Sequence, residues 1–116
     1  SLGVRADNDL PAIAKHFAPR IHFAHLRATK REGDGRSFHE SAHLEGDVDM
    51  VAVLRELVAE DRRRDEESAI IFRSDHGHRM LDDLKKTVTP GYPAIGRMRG
   101  LAELRGILYA LGSVPT

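Results

Sequence analysis

Two short apolar segments, at residues 21–26 (IHFAHL) and 69–73 (AIIFR), are the strand-forming parts of this sequence, and a long connection separates them. The connection contains a segment with helical periodicity, and crossovers of this kind join parallel strands. The two strands are therefore expected to pair in parallel. Because two parallel strands cannot cover their own faces and edges, the pattern is typical of the end of a (β/α) barrel rather than of a complete small fold.

Helical segments are expected before, between and after the strands: at residues 9–17, after an N-cap at Asp47 or Asp49, and at residues 94–111. A polar stretch near residue 80 could add a fourth. The expected apolar faces are, in chain order, Leu10, Ile13, Ala14 and Phe17; Val51, Leu54, Leu57 and Val58; and Leu101, Leu104, Leu108 and Leu111, with Met98 and Ala102 beside the last face. Residues 28–46 show no apolar period and are expected to form a loop, and the mixed charges at 60–67 a solvated helix end.

The composition narrows the choice of partner and compartment. Hydrophobic residues make up 41% of the sequence and charged residues 31%, with a net charge of 0 and no cysteine. This is an ordinary folded composition, expected as a single unit over residues 1–116, and the balanced charge favours neither nucleic acid nor an anionic membrane as a partner. There is no apolar run of the roughly 20 residues that a membrane span needs, and no signal peptide is expected at the first residues. We expect a cytoplasmic location.

Chemistry-bearing residues follow both predicted strands. His25 ends the first strand and Arg27 follows it, and the second strand leads into Asp75, His76 and His78. Because functional side chains of (β/α) barrels lie at the carboxyl ends of strands, these residues indicate a metal-assisted active site. One imidazole and one carboxylate would form half of a site for Mn²⁺, Fe²⁺ or Zn²⁺. The alternatives are that Asp75 caps a helix and that the histidines are polar boundary or loop residues.

Two further histidines lie in the expected loop. His39 and His43 are four residues apart and would share one face if this stretch were helical, which would allow a second metal site. Contact with the substrate is the preferred functional interpretation of His43.

Five stretches of the chain resemble the C-terminal part of the mannonate dehydratase family. They are residues 1–10 (SLGVRADNDL), 21–27 (IHFAHLR), 37–50 (SFHESAHLEGDVDM), 73–86 (RSDHGHRMLDDLKK) and 90–106 (PGYPAIGRMRGLAELRG). The resemblance implies a (β/α)8 TIM barrel of the xylose-isomerase-like kind. It also implies metal-dependent dehydration of D-mannonate to 2-dehydro-3-deoxy-D-gluconate in hexuronate breakdown. Ser74 and Pro93 depart from the family pattern.

The resemblance also assigns roles to residues. The family holds Mn²⁺ or Fe²⁺ with two His, one Cys and one Asp, and His25 and Asp75 match two of these ligands. The other His is expected upstream and the Cys just before residue 1, so the isolated chain is expected to be inactive. Arg27, His76 and Tyr92 match positions near the substrate. His76 is the preferred general acid and Tyr92 its partner, with the direction of proton transfer left open. Arg27 would neutralise the substrate carboxylate.

Two other functions remain open from the sequence. A barrel fragment with bare sheet edges could be a non-catalytic unit that associates with a second copy, and a homo-oligomer is expected in either case. A different xylose-isomerase-like enzyme is the other alternative, either a sugar isomerase or a metal-dependent endonuclease. The neutral charge disfavours the endonuclease.

Overall fold

The two predicted strands pair in parallel. The computed structural model describes residues 7–112, and the six N-terminal residues of the 1–10 motif lie outside that range. The strands are β1 (Phe23–Leu26), β2 (Ala28–Arg31), β3 (Phe38–Ser41) and β4 (Ile71–Ser74). The helices are α1 (Leu10–Phe17), α2 (Met50–Asp61) and α3 (Ala94–Ala110), with short 3₁₀ helices at Ala18–Arg20, Glu66–Ser68 and Leu81–Lys85. The α/β class, the parallel pair and the three main helices are confirmed.

The β1–β4 sheet is covered on one face only. In its register Ala24 lies beside Phe72 and Leu26 beside Ser74, and this face packs against the helices. The core residues are Leu26, Ala28, Met50, Leu54, Leu104 and Ile107 in one cluster, and Ala14, Ala18, Leu57 and Ile70 in a second. On the opposite face Phe23 is 50% exposed and Ile71 62% exposed. The sheet therefore has a face on which Phe23 and Ile71, next to His25 and Arg73, are left largely uncovered by residues 7–112.

The first two helices begin as predicted, but α1 packs differently from the prediction. Carboxylates of Asp9 and Asp49 accept N–H groups of the first turns of α1 and α2, which identifies Asp49 as the N-cap of α2. The predicted face of α1 is wrong in detail, because Leu10, Ile13 and Phe17 are exposed. Of that face only Ala14 is buried, since α1 meets α2 along small side chains.

The buried residues of α3 are Gly96, Gly100, Leu104 and Ile107. Of the predicted leucine stripe, Leu104 is buried and Leu108 and Leu111 pack half-buried against the same core, so the prediction is wrong only at Leu101. Leu101, Met98 and Ala102 are exposed. The reason is close approach: a Cβ atom on Gly96 would lie 1.8 Å from the carbonyl oxygen of His78. Leucines at helical spacing mark a buried face only where side chains determine the distance between the helix and its neighbours. The N-terminal half of α3 packs through its glycines instead.

The predicted loop at residues 28–46 is wrong, because it contains an antiparallel hairpin of β2 and β3. Thr29 pairs with Glu40 and Lys30 with His39 in this hairpin. The turn is closed by Asp34, whose carboxylate accepts the N–H of Ser37 at 2.8 Å. Apart from Ala28 and Phe38 the residues of the two strands are polar, so no apolar alternation marks them.

The mixed-charge run is also more than a solvated helix end. The Arg64 side chain is only 8% exposed. Its guanidinium donates to the carbonyl oxygens of Ile21 at 2.7 Å and Ala18 at 2.8 Å, and it pairs with Glu60. Hydrogen bonds from Arg63 and Arg64 lower the pKa of Glu60. The end of α2 is thereby tied to the segment that enters β1. None of the helices in residues 7–112 has the length and apolarity that crossing a membrane would require.

Candidate active site

His25 and Asp75 emerge side by side from the carboxyl ends of β1 and β4. The ladder continues past the strands, since the N–H of Asp75 donates to the carbonyl oxygen of Leu26 at 3.2 Å. The Nδ1 atom of His25 lies 3.8 Å from Oδ1 of Asp75. The His25 side chain is 44% exposed and that of Asp75 21% exposed. The structure thus places both predicted ligand residues at one edge of the sheet.

His76 and Tyr92 form a second pair beside Asp75. Their ring centroids are 4.7 Å apart, and the Tyr92 hydroxyl lies 3.4 Å from Nε2 of His76. The same Nε2 atom is 3.4 Å from Oδ2 of Asp75. Tyr92 reaches this position through the turn at Thr89, whose carbonyl accepts the Tyr92 N–H at 2.9 Å. His76 therefore lies beside both Tyr92 and Asp75.

Arg27 joins the group through a residue that the sequence reasoning missed. Its Nε donates to both carboxylate oxygens of Glu40, at 3.1 and 3.0 Å, and its Nη2 also contacts Glu40. This pairing raises the pKa of Arg27. Oε1 of Glu40 also lies 3.4 Å from Nδ1 of His76. From the sequence, Glu40 could be placed beside the strand ends only by predicting a hairpin with its turn around Gly33–Gly35.

His43 does not join this group. It is 1% exposed, and its Nε2 donates to the carbonyl oxygen of Leu26 at 2.7 Å. The ring lies against Gly100, where a Cβ would come within 2.7 Å of it. His43 therefore supports the end of β1 from inside the molecule.

His39 lies apart from the strand ends. It is on a strand rather than a helix, so the one-face argument for His39 and His43 does not apply. Its Nδ1 lies 2.6 Å from Oε1 of Glu32. The neighbouring His78 contacts the carbonyl oxygen of Glu40 through Nδ1 at 2.8 Å. Within residues 7–112 no three His, Cys, Asp or Glu side chains are grouped to hold a metal ion.

A parallel strand pair with helices on one face and polar side chains at the carboxyl ends of the strands defines an α/β protein whose candidate site lies at that edge of the sheet. Residues 1–115 match the family model described as D-mannonate dehydratase (UxuA). The chain therefore belongs to the D-mannonate dehydratase family, as the resemblance implied.

Individual relatives agree with the family model. The chain is 79% identical over 111 residues to a mannonate dehydratase of Brucella canis, a match that covers 96% of this chain and 28% of that protein. It is 59% identical over 113 residues to a mannonate dehydratase of Chromohalobacter salexigens, covering 96% and 29%. The crystal structure of mannonate dehydratase from Streptococcus suis serotype 2 is similar with a TM-score of 0.62 and 31% identity, covering 93% of this chain and 30% of that one. The chain thus spans less than a third of the length of these relatives.

Proposed function

We propose that this chain is the C-terminal part of a (β/α)8 barrel and supplies part of an active site that dehydrates D-mannonate to 2-dehydro-3-deoxy-D-gluconate. The observation that carries the proposal is the convergence of His25, Asp75, His76, Tyr92 and Arg27 at one sheet edge, in a chain of the D-mannonate dehydratase family. The reaction would belong to hexuronate breakdown in the cytoplasm.

The open sheet face supports the barrel. In a (β/α)8 barrel each strand has one face toward the helices and one toward the packed interior. Ala24 and Leu26 face the helices here, while Phe23 and Ile71 lie on the exposed face. Further strands of a longer polypeptide would cover those two side chains and close the sheet.

His25 and Asp75 fit a shared metal ion. Two atoms that each bind one first-row cation at about 2.0–2.2 Å lie at most about 4.4 Å apart. Nδ1 of His25 and Oδ1 of Asp75 are 3.8 Å apart. One imidazole nitrogen and one carboxylate oxygen suit Mn²⁺ or Fe²⁺. The remaining ligands would come from outside residues 7–112. When bound, the metal would act as a Lewis acid toward the substrate carboxylate and its neighbouring hydroxyl.

The other residues would bind the sugar acid and move protons. Glu40 engages Nε and Nη2 of Arg27, which leaves Nη1 to bind the substrate carboxylate. The reaction removes a proton from carbon 2 and expels the hydroxyl of carbon 3 as water, and the resulting enol becomes the ketone. His76 would protonate the departing hydroxyl, and Tyr92, 3.4 Å away, would be its partner in proton transfer.

The test uses the complete polypeptide that carries this sequence, supplied with Mn²⁺ and D-mannonate. We expect product formation, and we expect His76→Asn to lower kcat by about 10²–10⁴. His22→Asn is the matched control, because His22 is exposed and precedes β1 at the opposite end from the site. A complete polypeptide that does not convert D-mannonate would refute the function, and a His76→Asn variant within about threefold of wild type would refute the acid role.

The exposed apolar side chains favour a second candidate, a self-associating unit without catalysis. Phe23, Ile71 and Phe17 would then be covered by another copy of this chain. Light scattering together with an assay of D-mannonate turnover on the complete polypeptide distinguishes the two, because a stable oligomer without turnover would support this alternative. A homo-oligomer of the complete enzyme is proposed as well.

A further inference from the structure

Glu40 stands at the meeting point of the hairpin and the two parallel strands. It pairs with Thr29 across the hairpin, and its side chain is 20% exposed. One carboxylate contacts the Arg27 guanidinium along its Nε–Nη2 edge and lies 3.4 Å from the His76 ring. A bidentate pair of this kind fixes the plane of the guanidinium as well as its position.

The Nδ1 atom of His76 lies in a confined environment. It is buried and has no hydrogen-bond partner among residues 7–112. Gly91 closes the same ring edge, since a Cβ at that residue would lie 2.6 Å from Nδ1. The carboxylate oxygen Oε1 of Glu40, 3.4 Å away, is thus an acceptor close to an otherwise unpaired ring nitrogen. Contacts in a site without substrate are often longer than in the reacting complex.

We infer that Glu40 is a positioning residue that holds Arg27 and His76 in one fixed arrangement. This inference rests on the proposed function. With Nδ1 directed at Glu40, the opposite nitrogen of His76 faces Tyr92 and Asp75, where the proton transfer is proposed. The hairpin therefore belongs to the active site although its strands carry no apolar pattern.

The two contacts of Glu40 predict two separable effects of its removal. Loss of the contact to Arg27 affects how the substrate carboxylate is bound and raises KM. Loss of the contact to His76 releases the ring from its orientation and lowers kcat, because a displacement of about 1 Å in a catalytic group costs about 10² in rate. A residue that only stabilised the fold would not act through His76.

The test compares Glu40→Gln with Glu40→Asp in the complete Mn²⁺-loaded enzyme. Glu40→Gln should lower kcat/KM by about 10², and Glu40→Asp, which keeps the charge, should recover part of the loss. Glu32→Gln is the matched control, since Glu32 is a carboxylate of the same hairpin that pairs with His39 away from the strand ends. We expect it to leave kcat and KM within about twofold of wild type.

A double-mutant cycle separates positioning from a general structural effect. When His76→Asn is already present, Glu40→Gln should cause little further loss of kcat, because the two residues act as a unit. Full additivity, or a Glu40→Gln variant with wild-type kcat and KM, would overturn the inference.

A second experiment tests the positioning role of Glu40 independently of the proposed function. If the wild-type enzyme does not convert D-mannonate, the crystal structure of full-length Glu40→Gln decides the inference. A rotated or displaced His76 ring supports the positioning role, and a ring that keeps its wild-type orientation overturns it.

Discussion

Gly96 lies where helix α3 meets the segment that follows β4, and a methyl group there has no space. A Cβ on Gly96 would lie 1.8 Å from the carbonyl oxygen of His78, and contacts under 3.0 Å are essentially never found. The obstacle is backbone, so no side-chain rotation can relieve it. Gly96→Ala must therefore push α3 and the His78 segment apart by about 1 Å, which a close-packed interior does not absorb freely.

Gly96→Ala is expected to lower the free energy of unfolding, and a glycine-to-alanine variant elsewhere in the same helix is the matched control. Inserting a methylene-sized group into packed surroundings costs about 1–3 kcal/mol, and a backbone contact belongs at the upper end of that range. Gly106 lies in the same helix with nothing within 4 Å of its Cβ position. Because alanine favours a helix over glycine by about 1 kcal/mol, Gly106→Ala should stabilise the protein.

Urea denaturation and steady-state kinetics of both variants measure these effects in the complete polypeptide. Gly96→Ala should unfold at lower urea than wild type. It should also lose about 10² in kcat, because His76 lies just before the displaced segment. Gly106→Ala should unfold at equal or higher urea with unchanged kcat. A Gly96→Ala variant as stable and active as Gly106→Ala would refute the close approach of α3 to the His78 carbonyl.

Two further predictions concern charged groups that hold the fold. Arg64→Met removes donors to the carbonyl oxygens of Ala18 and Ile21, and we expect a loss of about 2–4 kcal/mol in urea denaturation; a loss under about 1 kcal/mol would contradict the buried role. Burial raises the pKa of Asp83, but backbone N–H groups at the start of α3 outweigh it and hold that pKa below its usual value. The ionised Asp83 therefore stabilises the folded protein above about pH 4, and this stabilisation is lost as the pH falls further. The Asp83→Asn variant should be less stable than wild type at pH 7 and equally stable in acid. A stability difference that is the same at all pH values would contradict this.

The parallel pair and the residues at its edge follow from local sequence. Short apolar runs mark β1 and β4, and the residues after them lie at the same sheet edge because parallel strands share a direction. His25 and Asp75 could therefore be placed together from the sequence alone. The placement is correct because the register of β1 and β4 is fixed. A slip of one residue would turn His25 to the opposite face of the sheet.

The hairpin and the interior histidine could not be predicted in the same way. The polar strands β2 and β3 are stabilised by pairing and by Asp34 at the turn, neither of which produces a hydrophobic period. Burial of His43 depends on Gly100, which is distant in sequence and whose missing side chain makes room for the ring. The α1 face shows a further limit: the period of Ile13 and its neighbours predicts that a surface is apolar but not what covers it.

Close backbone contacts flank the His76–Tyr92 pair. The N–H of Gly77 donates to the carbonyl oxygen of Gly91 at 3.1 Å, and Gly91 adopts a φ of 81°, in the region that favours glycine. A Cβ on Gly77 would lie 2.7 Å from the backbone nitrogen of Arg97. Two chain segments therefore touch main chain to main chain on either side of the pair. These contacts fix the backbone near both residues, so the phenol and the imidazole start from neighbouring positions before any substrate binds.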